Sequence, residues 1–247
     1  VRLLVLGGTG EARELAARAD GFEVITSLAG RVQNPVLPVG EVRVGGFGGV
    51  EGLANWLQDN DIGAVVDATH PFAANISENA AAACREVGLS QLVLRRAAWT
   101  AGPLDRWIHV PSLAEAAGQL PGDRVFLAIG RQGVHHFAGD ESRWFLIRAI
   151  DPPDGEIPPQ HELLLRRGPF TLKDDLELMR SYAIDAVVSK NSGGDLAEAK
   201  LEAARILGIP VVMVDRPPLP AGVHVADSVD AALAWLAATR ELEQFPG

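Results

Sequence analysis

Residues 3–16 read LLVLGGTGEARELA, and the fold follows from how this run divides. Leu3–Leu6 is an uninterrupted apolar stretch of strand length. Gly7, Gly8 and Gly10 make a turn, and from Gly10 onward the apolar side chains recur at helical spacing. A wholly apolar strand that feeds a helix through glycines is the opening unit of a parallel sheet covered by helices. The glycines permit the tight turn and let backbone N–H groups approach a pyrophosphate at the helix N-terminus. The spacing departs from G-x-G-x-x-G, because Arg13 stands in the third glycine's place. A glycine turn that holds no ligand is the competing reading.

The same alternation continues along the chain. Strands are predicted at Arg2–Leu6, Phe22–Thr26, Glu41–Val44, Ala64–Asp67 and Gln91–Arg95, with helices at Gly10–Ala19, Val50–Gln58 and Ala73–Val87. From about Leu104 the pattern restarts. Strands are predicted at Val125–Ile129, Phe145–Ala149, Ala186–Ser189, Val211–Val214 and Val223–Ala226, and helices at Leu113–Gln119, Leu172–Ser181, Asp195–Leu207 and Ser228–Ala238. Thr171 with Asp174, and Ser192 with Asp195, have capping-box spacing, and Gly208 suits a helix C-terminus. REVGLSQLVLRR (85–96) and RILGIPVVMVDRP (205–217) share a layout of helix, glycine, strand and arginine without enough identity to be a repeat. The fold expected is α/β, with two Rossmann-like domains whose parallel sheets are flanked by helices. They divide as residues 1–104 and 105–247, and a cleft between them is the default ligand site.

Composition narrows the function. Apolar residues make up 47% and charged residues 22%, ordinary values for a globular protein, and no apolar run approaches membrane-spanning length. The net charge of −10 argues against a nucleic-acid or anionic-membrane surface. The lone Cys84 excludes an internal disulfide, and no leader is read at the start, so a reducing cytoplasm is expected. No G-x-S-x-G elbow is present, and His135-His136 lack partners at metal-ligand spacing, so neither a serine hydrolase nor a metal site is expected. Trp99, Trp107 and Trp144 read as core.

Candidate site residues fall at strand ends. Gly7, Gly8, Thr9, Gly10 and Glu11 form the pyrophosphate turn. EVITSLAGRV (23–32) ends the second strand with Ser27 and Arg31, where a dinucleotide fold that takes NAD places an acid. A hydroxyl and a guanidinium suit a 2′-phosphate instead, which favours NADP(H); a surface arginine is the alternative. GGFGG (45–49), with Gly46, ends the third strand and allows close approach of a ligand. VVDATHPFA (65–73) puts Asp67, Thr69 and His70 at the end of the fourth, where Asp67 or His70 either positions a nicotinamide or donates a proton, or caps the next helix. In the second half AIGRQG (128–133) offers Arg131 and Gln132, and VVSKNSGGDLAEAK (187–200) offers Lys190, Asn191, Ser192 and Gly193 as an anion nest. This is more anion binding than one cofactor needs, and a substrate with several carboxylates would use the surplus.

LGGTGEAREL, SLAGR, GGFGG, DATHPFA, AIGRQ, RAIDPP, RGPF, SKNSGG and GIPVVMVDRP occur in this order from Leu3 to Pro217, and the ordered set resembles the precorrin-6A reductases of cobalamin biosynthesis. The resemblance implies NADPH-dependent reduction of one ring double bond of the macrocycle precorrin-6A to give precorrin-6B. It also implies a two-domain α/β fold with both ligands in the interdomain cleft. The macrocycle's acetate and propionate arms would account for the surplus anion sites. His70, Asp67 and Lys190 are the candidates for catalysis, with bound water as another proton source. The anaerobic relatives reduce the cobalt-loaded macrocycle. Two other classes compete: an NADP(H)-sensing regulator without chemistry, and an S-adenosylmethionine methyltransferase, which would want an acid where Ser27 stands.

Overall fold

The computed structural model describes residues 1–30 and 36–244. The chain opens with β1 (Arg2–Leu6), α1 (Gly10–Arg18), β2 (Glu23–Leu28), β3 (Glu41–Val44), α2 (Gly49–Asp59), β4 (Ile62–Asp67), α3 (Ala74–Val87) and β5 (Ser90–Leu94). It continues through β6 (Trp107–Val110), α4 (Leu113–Ala117), β7 (Arg124–Ala128), β8 (Trp144–Ala149), β9 (His161–Leu165), α5 (Leu172–Ser181), β10 (Ala186–Lys190), α6 (Ala199–Leu207) and β11 (Val211–Val214). It ends with β12 (His224–Ala226) and α7 (Val229–Gln244).

Two six-stranded sheets result, ordered β3-β2-β1-β4-β5-β12 and β9-β8-β7-β10-β11-β6. Every pairing is parallel. By chain order the first sheet has the doubly wound order 3-2-1-4-5-6, and the second reads 4-3-2-5-6-1; the order reverses between β1 and β4 in the one and between β7 and β10 in the other. The sixth strand has an unusual origin in both. β12 joins the first sheet only after the second is finished, whereas β6 precedes the other five strands of its own.

The compact units are Val1–Ala97 with Pro217 onward, and Ala98–Arg216. This differs from a division between residues 104 and 105, and the physical reason is β12. It pairs with β5 in the register His224↔Leu92, Val225↔Val93 and Ala226↔Leu94. The helix that follows, α7, adds Val229, Ala232 and Leu236 to the cluster of Leu3, Val5, Ala64, Val66 and Leu92. The opposite face of β1 packs Leu4 and Leu6 with Leu53, Leu57, Val65 and Cys84. Leu3, Leu4 and Val5 are wholly buried, and burying such a side chain contributes about 1.5–3 kcal/mol.

Two strands are absent from the sequence reading, β6 and β9. Both are edge strands with mixed exposure, so neither shows the apolar run of a central parallel strand. The Thr171–Asp174 capping box forms, and Gly208 ends α6 at φ +66°. The box expected at Ser192 and Asp195 does not. Asp195–Ala197 makes a 3-10 turn, and α6 begins at Ala199 without a side-chain cap. No helix among the described residues is long and apolar enough to cross a membrane.

Candidate active site

In the first unit the switch lies between the C-terminal ends of β1 and β4, and the glycine turn sits there. Gly7 N–H donates to Ser27 O at 2.9 Å. A Cβ on Gly7 would stand 2.7 Å from Thr26 Cγ2, so the turn closes against β2 only with glycine. Gly8 has φ +120°, and a Cβ there would project into open space, the room that a phosphate requires. Thr9 caps α1 by accepting from Ala12 N at 3.1 Å, and its hydroxyl donates to Ala68 O at 2.7 Å, fastening the turn to the end of β4. Glu11 takes both oxygens to Arg96 Nη1 at 2.9 and 3.0 Å. Burial works against the Glu11 charge, but its own backbone N–H and Arg96 outweigh it and hold the carboxyl below its ordinary value. A negative charge beside a pyrophosphate turn is thus largely neutralised by an arginine the sequence reading did not single out.

Asp67 is buried, and its Oδ1 accepts from Thr69 N at 3.0 Å and Thr69 Oγ1 at 2.7 Å. Its Oδ2 is buried with no hydrogen-bond partner among the described residues. His70 is exposed, and its Nδ1 accepts from Phe72 N at 3.3 Å. Asp67 therefore shapes the turn after β4 around Thr69, while His70 is the member of the trio that faces solvent.

Ser27, the last residue but one of β2, is buried, and its Oγ accepts from Arg43 Nη1 at 3.1 Å. Arg43 lies on the neighbouring edge strand β3, opposite Ser27 in register. It also donates to Gly45 O at 2.7 Å and Gly46 O at 2.6 Å, and its guanidinium lies 3.6 Å from the centroid of the Phe47 ring. Gly46 is thus held through its carbonyl. Arg31 lies outside the described residues.

The second unit repeats the arrangement where β7 and β10 end. Lys190 Nζ reaches Gln132 O at 3.4 Å, and burial lowers the Lys190 pKa below its ordinary value. Arg131 pairs with Asp154 at 3.4 Å. His136, on the 3-10 turn Val134–Phe137, has its pKa lowered by burial, then by His135 and Lys190. Ser192 N donates to Lys190 O at 2.8 Å, and Gly193 and Gly194 have positive φ, so the turn curls as a nest. Asn191 is buried, and its side-chain amide pairs with the Trp99 backbone: Oδ1 accepts from Trp99 N at 2.9 Å, and Nδ2 donates to Trp99 O at 3.1 Å. Trp99 Nε1 donates to Gly194 O at 3.2 Å, and Arg216 Nε to Asn191 O at 2.7 Å.

The structure thus gathers Gly7, Gly8, Thr9, Gly10, Glu11, Asp67, Thr69 and His70 at one switch point, with Ser27 on β2 and Gly46 in the turn after β3 beside it. It gathers Arg131, Gln132, Lys190, Asn191, Ser192 and Gly193 at the other. Arg43, Arg96 and His136 join them without having been expected. Among the described residues no group of three or more His, Cys, Asp and Glu side chains is placed to hold a metal ion. The open turn at Gly8 and the helix N-terminus beside it fit a nicotinamide dinucleotide.

A parallel sheet of order 3-2-1-4-5-6 with a glycine turn at its switch defines the Rossmann class of α/β proteins, and the second sheet is Rossmann-like with its outer strand β6 taken from the start of the unit. Fold alone does not choose a reaction, and comparison with known proteins does so. The chain belongs to the family described as Precorrin-6x reductase CbiJ/CobK, which it matches over residues 2–237. It is 55% identical over 240 residues to the precorrin-6A reductase of Rhodococcus erythropolis, covering 95% of this chain and 97% of that one. A solved CobK precorrin-6A reductase superposes with a TM-score of 0.90 at 48% identity, covering 97% of both chains. The cobalt-precorrin-6A reductase of Methanothermobacter thermautotrophicus is 31% identical over 239 residues, covering 87% of this chain and 76% of that one. The chain is therefore an enzyme, an oxidoreductase of cobalamin biosynthesis.

Proposed function

We propose that this enzyme reduces one ring double bond of precorrin-6A to give precorrin-6B, with NADPH as the reductant. The observation that carries the reading is the 55% identity, over nearly the whole of both chains, to a protein named for that substrate. Cobalt-precorrin-6A is the second reading, supported by the 31% relative. In this scheme the first unit binds NADPH and the second binds the substrate's carboxylate arms. The enzyme works in the cytoplasm without nucleic-acid or membrane partners, in keeping with its charge of −10.

Bound NADPH supplies the hydride that one ring carbon accepts. The chain's own residues do the rest. Gly7, Gly8, Thr9, Gly10 and Glu11 seat the pyrophosphate, with Arg96 offsetting the Glu11 charge. Ser27 and Arg31 take the 2′-phosphate, and Gly46 and Thr69 border the cofactor. Arg131, Gln132, Lys190, Ser192 and Gly193 receive substrate carboxylates, and Asn191 holds that turn in shape. Reduction also adds one proton beside the hydride-bearing carbon. His70, exposed beyond β4, delivers it in this scheme, with Asp67 fixing the turn from which it projects. Lys190 is the other candidate donor, since burial lowers its pKa from the ordinary lysine value. Positioning the two reactants supplies several kcal/mol in any case.

The test is anaerobic turnover of purified enzyme with NADPH and precorrin-6A. One NADPH should be consumed for each product that gains two hydrogens. No consumption with precorrin-6A, or consumption only with the cobalt-loaded macrocycle, overturns the assignment. Arg31→Ala should weaken NADPH binding by about 1.5–3 kcal/mol, the scale of a charge-assisted hydrogen bond, and leave NADH nearly unchanged. Equal losses for both would remove Arg31 from the phosphate site.

A further inference from the structure

We propose that Arg43 is a second, preorganised cation for the 2′-phosphate and sets the preference for NADPH over NADH; this rests on the NADPH assignment above. The ribose end of a dinucleotide in this fold lies beyond the C-terminal end of the second strand. Ser27 marks that place, and Arg43 stands opposite it in register on β3, donating to its Oγ at 3.1 Å. Because Arg43 occupies a lone pair of that hydroxyl, the Ser27 hydrogen points elsewhere and can donate to a phosphate oxygen.

Arg43 is held before any ligand arrives. Nη1 is fixed by Gly45 O, Nη2 by Gly46 O, and Phe47 lies beneath the guanidinium, with the Trp56 ring centroid at 5.6 Å. Little side-chain freedom remains to be lost on binding, so the charge acts at nearly full strength. No carboxylate pairs with it among the described residues. Burial pulls its pKa below the ordinary arginine value, so the charge lies in a medium poorer than water with no anion to balance it. A half-buried guanidinium in that condition gains most from a ligand that brings a double negative charge. An Arg43 that served only to staple the GGFGG turn would need the carbonyl bonds and the ring, not the bond to Ser27.

Calorimetry with 2′,5′-ADP and 5′-AMP separates the two roles without turnover. The wild type should bind 2′,5′-ADP at least about tenfold more tightly than 5′-AMP, and Arg43→Gln should reduce that ratio by about tenfold or more while 5′-AMP affinity stays within about twofold. Arg43→Lys, which keeps the charge, should retain part of the preference, and it carries the test if the glutamine variant does not fold. An unchanged ratio in Arg43→Gln, or an equal loss for both ligands, overturns the role of Arg43 alone. A wild type that does not distinguish the two ligands overturns the NADPH assignment itself.

Discussion

His70 shows how far a single side chain can be read and tested. Its Nδ1 accepts the Phe72 N–H at 3.3 Å, so the imidazole both shapes a turn and stands exposed beyond β4. Asparagine can accept the same N–H but cannot serve as an acid. His70→Asn should therefore lower turnover by at least about 100-fold if His70 donates the proton, with stability within about 1 kcal/mol of wild type. Unchanged turnover would pass the role to Lys190 or water. Lys190→Ala should raise KM for precorrin-6A and leave the Kd for NADPH intact, and lost NADPH binding would move that turn to the cofactor. Lys200 offers a pH test. It is buried on α6, donates to Ala197 O at 2.6 Å and lies 4.9 Å from the Trp99 ring centroid. Burial, with Arg148 adding and Asp175 opposing, pulls its pKa down to about 7. The unfolded chain then binds more protons from about pH 7 up to the ordinary lysine range, so the wild type gains stability as pH rises through that window. Lys200→Met should be the more stable protein near pH 6, and its margin should shrink by on the order of 2 kcal/mol by pH 9, read by chemical denaturation. A margin independent of pH would show that Lys200 does not titrate there. Some of these residues were legible and some were not. Ser27 drew attention because an acid was missing at a defined strand end. Arg43 did not, because its contact with Ser27 spans 16 residues and depends on β3 pairing beside β2.

At the scale of elements, the central strands were legible from their apolar runs, and the edge strands β3 and β12 were read as well, but the edge strands β6 and β9 were not. β1, β4, β7, β10 and β11 are buried on both faces and each carries a run of three or four apolar residues. β6 and β9 have one free edge and mixed side chains, so nothing local distinguishes them from loops. The turn after β10 shows the same limit. Its residue types suggested an anion nest, but the sequence could not show that Asn191 is committed to Trp99 on one side and Arg216 on the other. Those two residues lie at the start and end of the second unit. Asn191→Leu removes two side-chain hydrogen bonds from a buried site and should cost about 1–3 kcal/mol. It should also raise KM for precorrin-6A more than it lowers kcat, because Lys190 and Ser192 lose their anchor. A lower kcat with unchanged KM would place Asn191 in the chemical step.

At the scale of the molecule, the sequence showed two α/β halves but misplaced the last thirty or so residues, since no local pattern says which of two similar sheets a short strand will join. The pairing of β12 with β5 decides it. The second unit is continuous in the chain and holds all six strands of its sheet, whereas the first is interrupted. A fragment of residues 98–216 should therefore give a cooperative thermal transition by itself. A fragment of residues 1–97 should not, because the faces of Leu3, Val5 and Leu92 that α7 covers are left bare; two cooperative fragments would contradict this. On the ribosome this arrangement reverses the usual N-terminal-first order of folding. The nascent first half emerges early yet must wait, with an open sheet edge and an uncovered apolar face, until the final helix has left the exit tunnel. The later-made half can close first. A pause in translation between residues 97 and 217 would lengthen that wait and with it the exposure to chaperones, a vulnerability that the finished enzyme no longer shows.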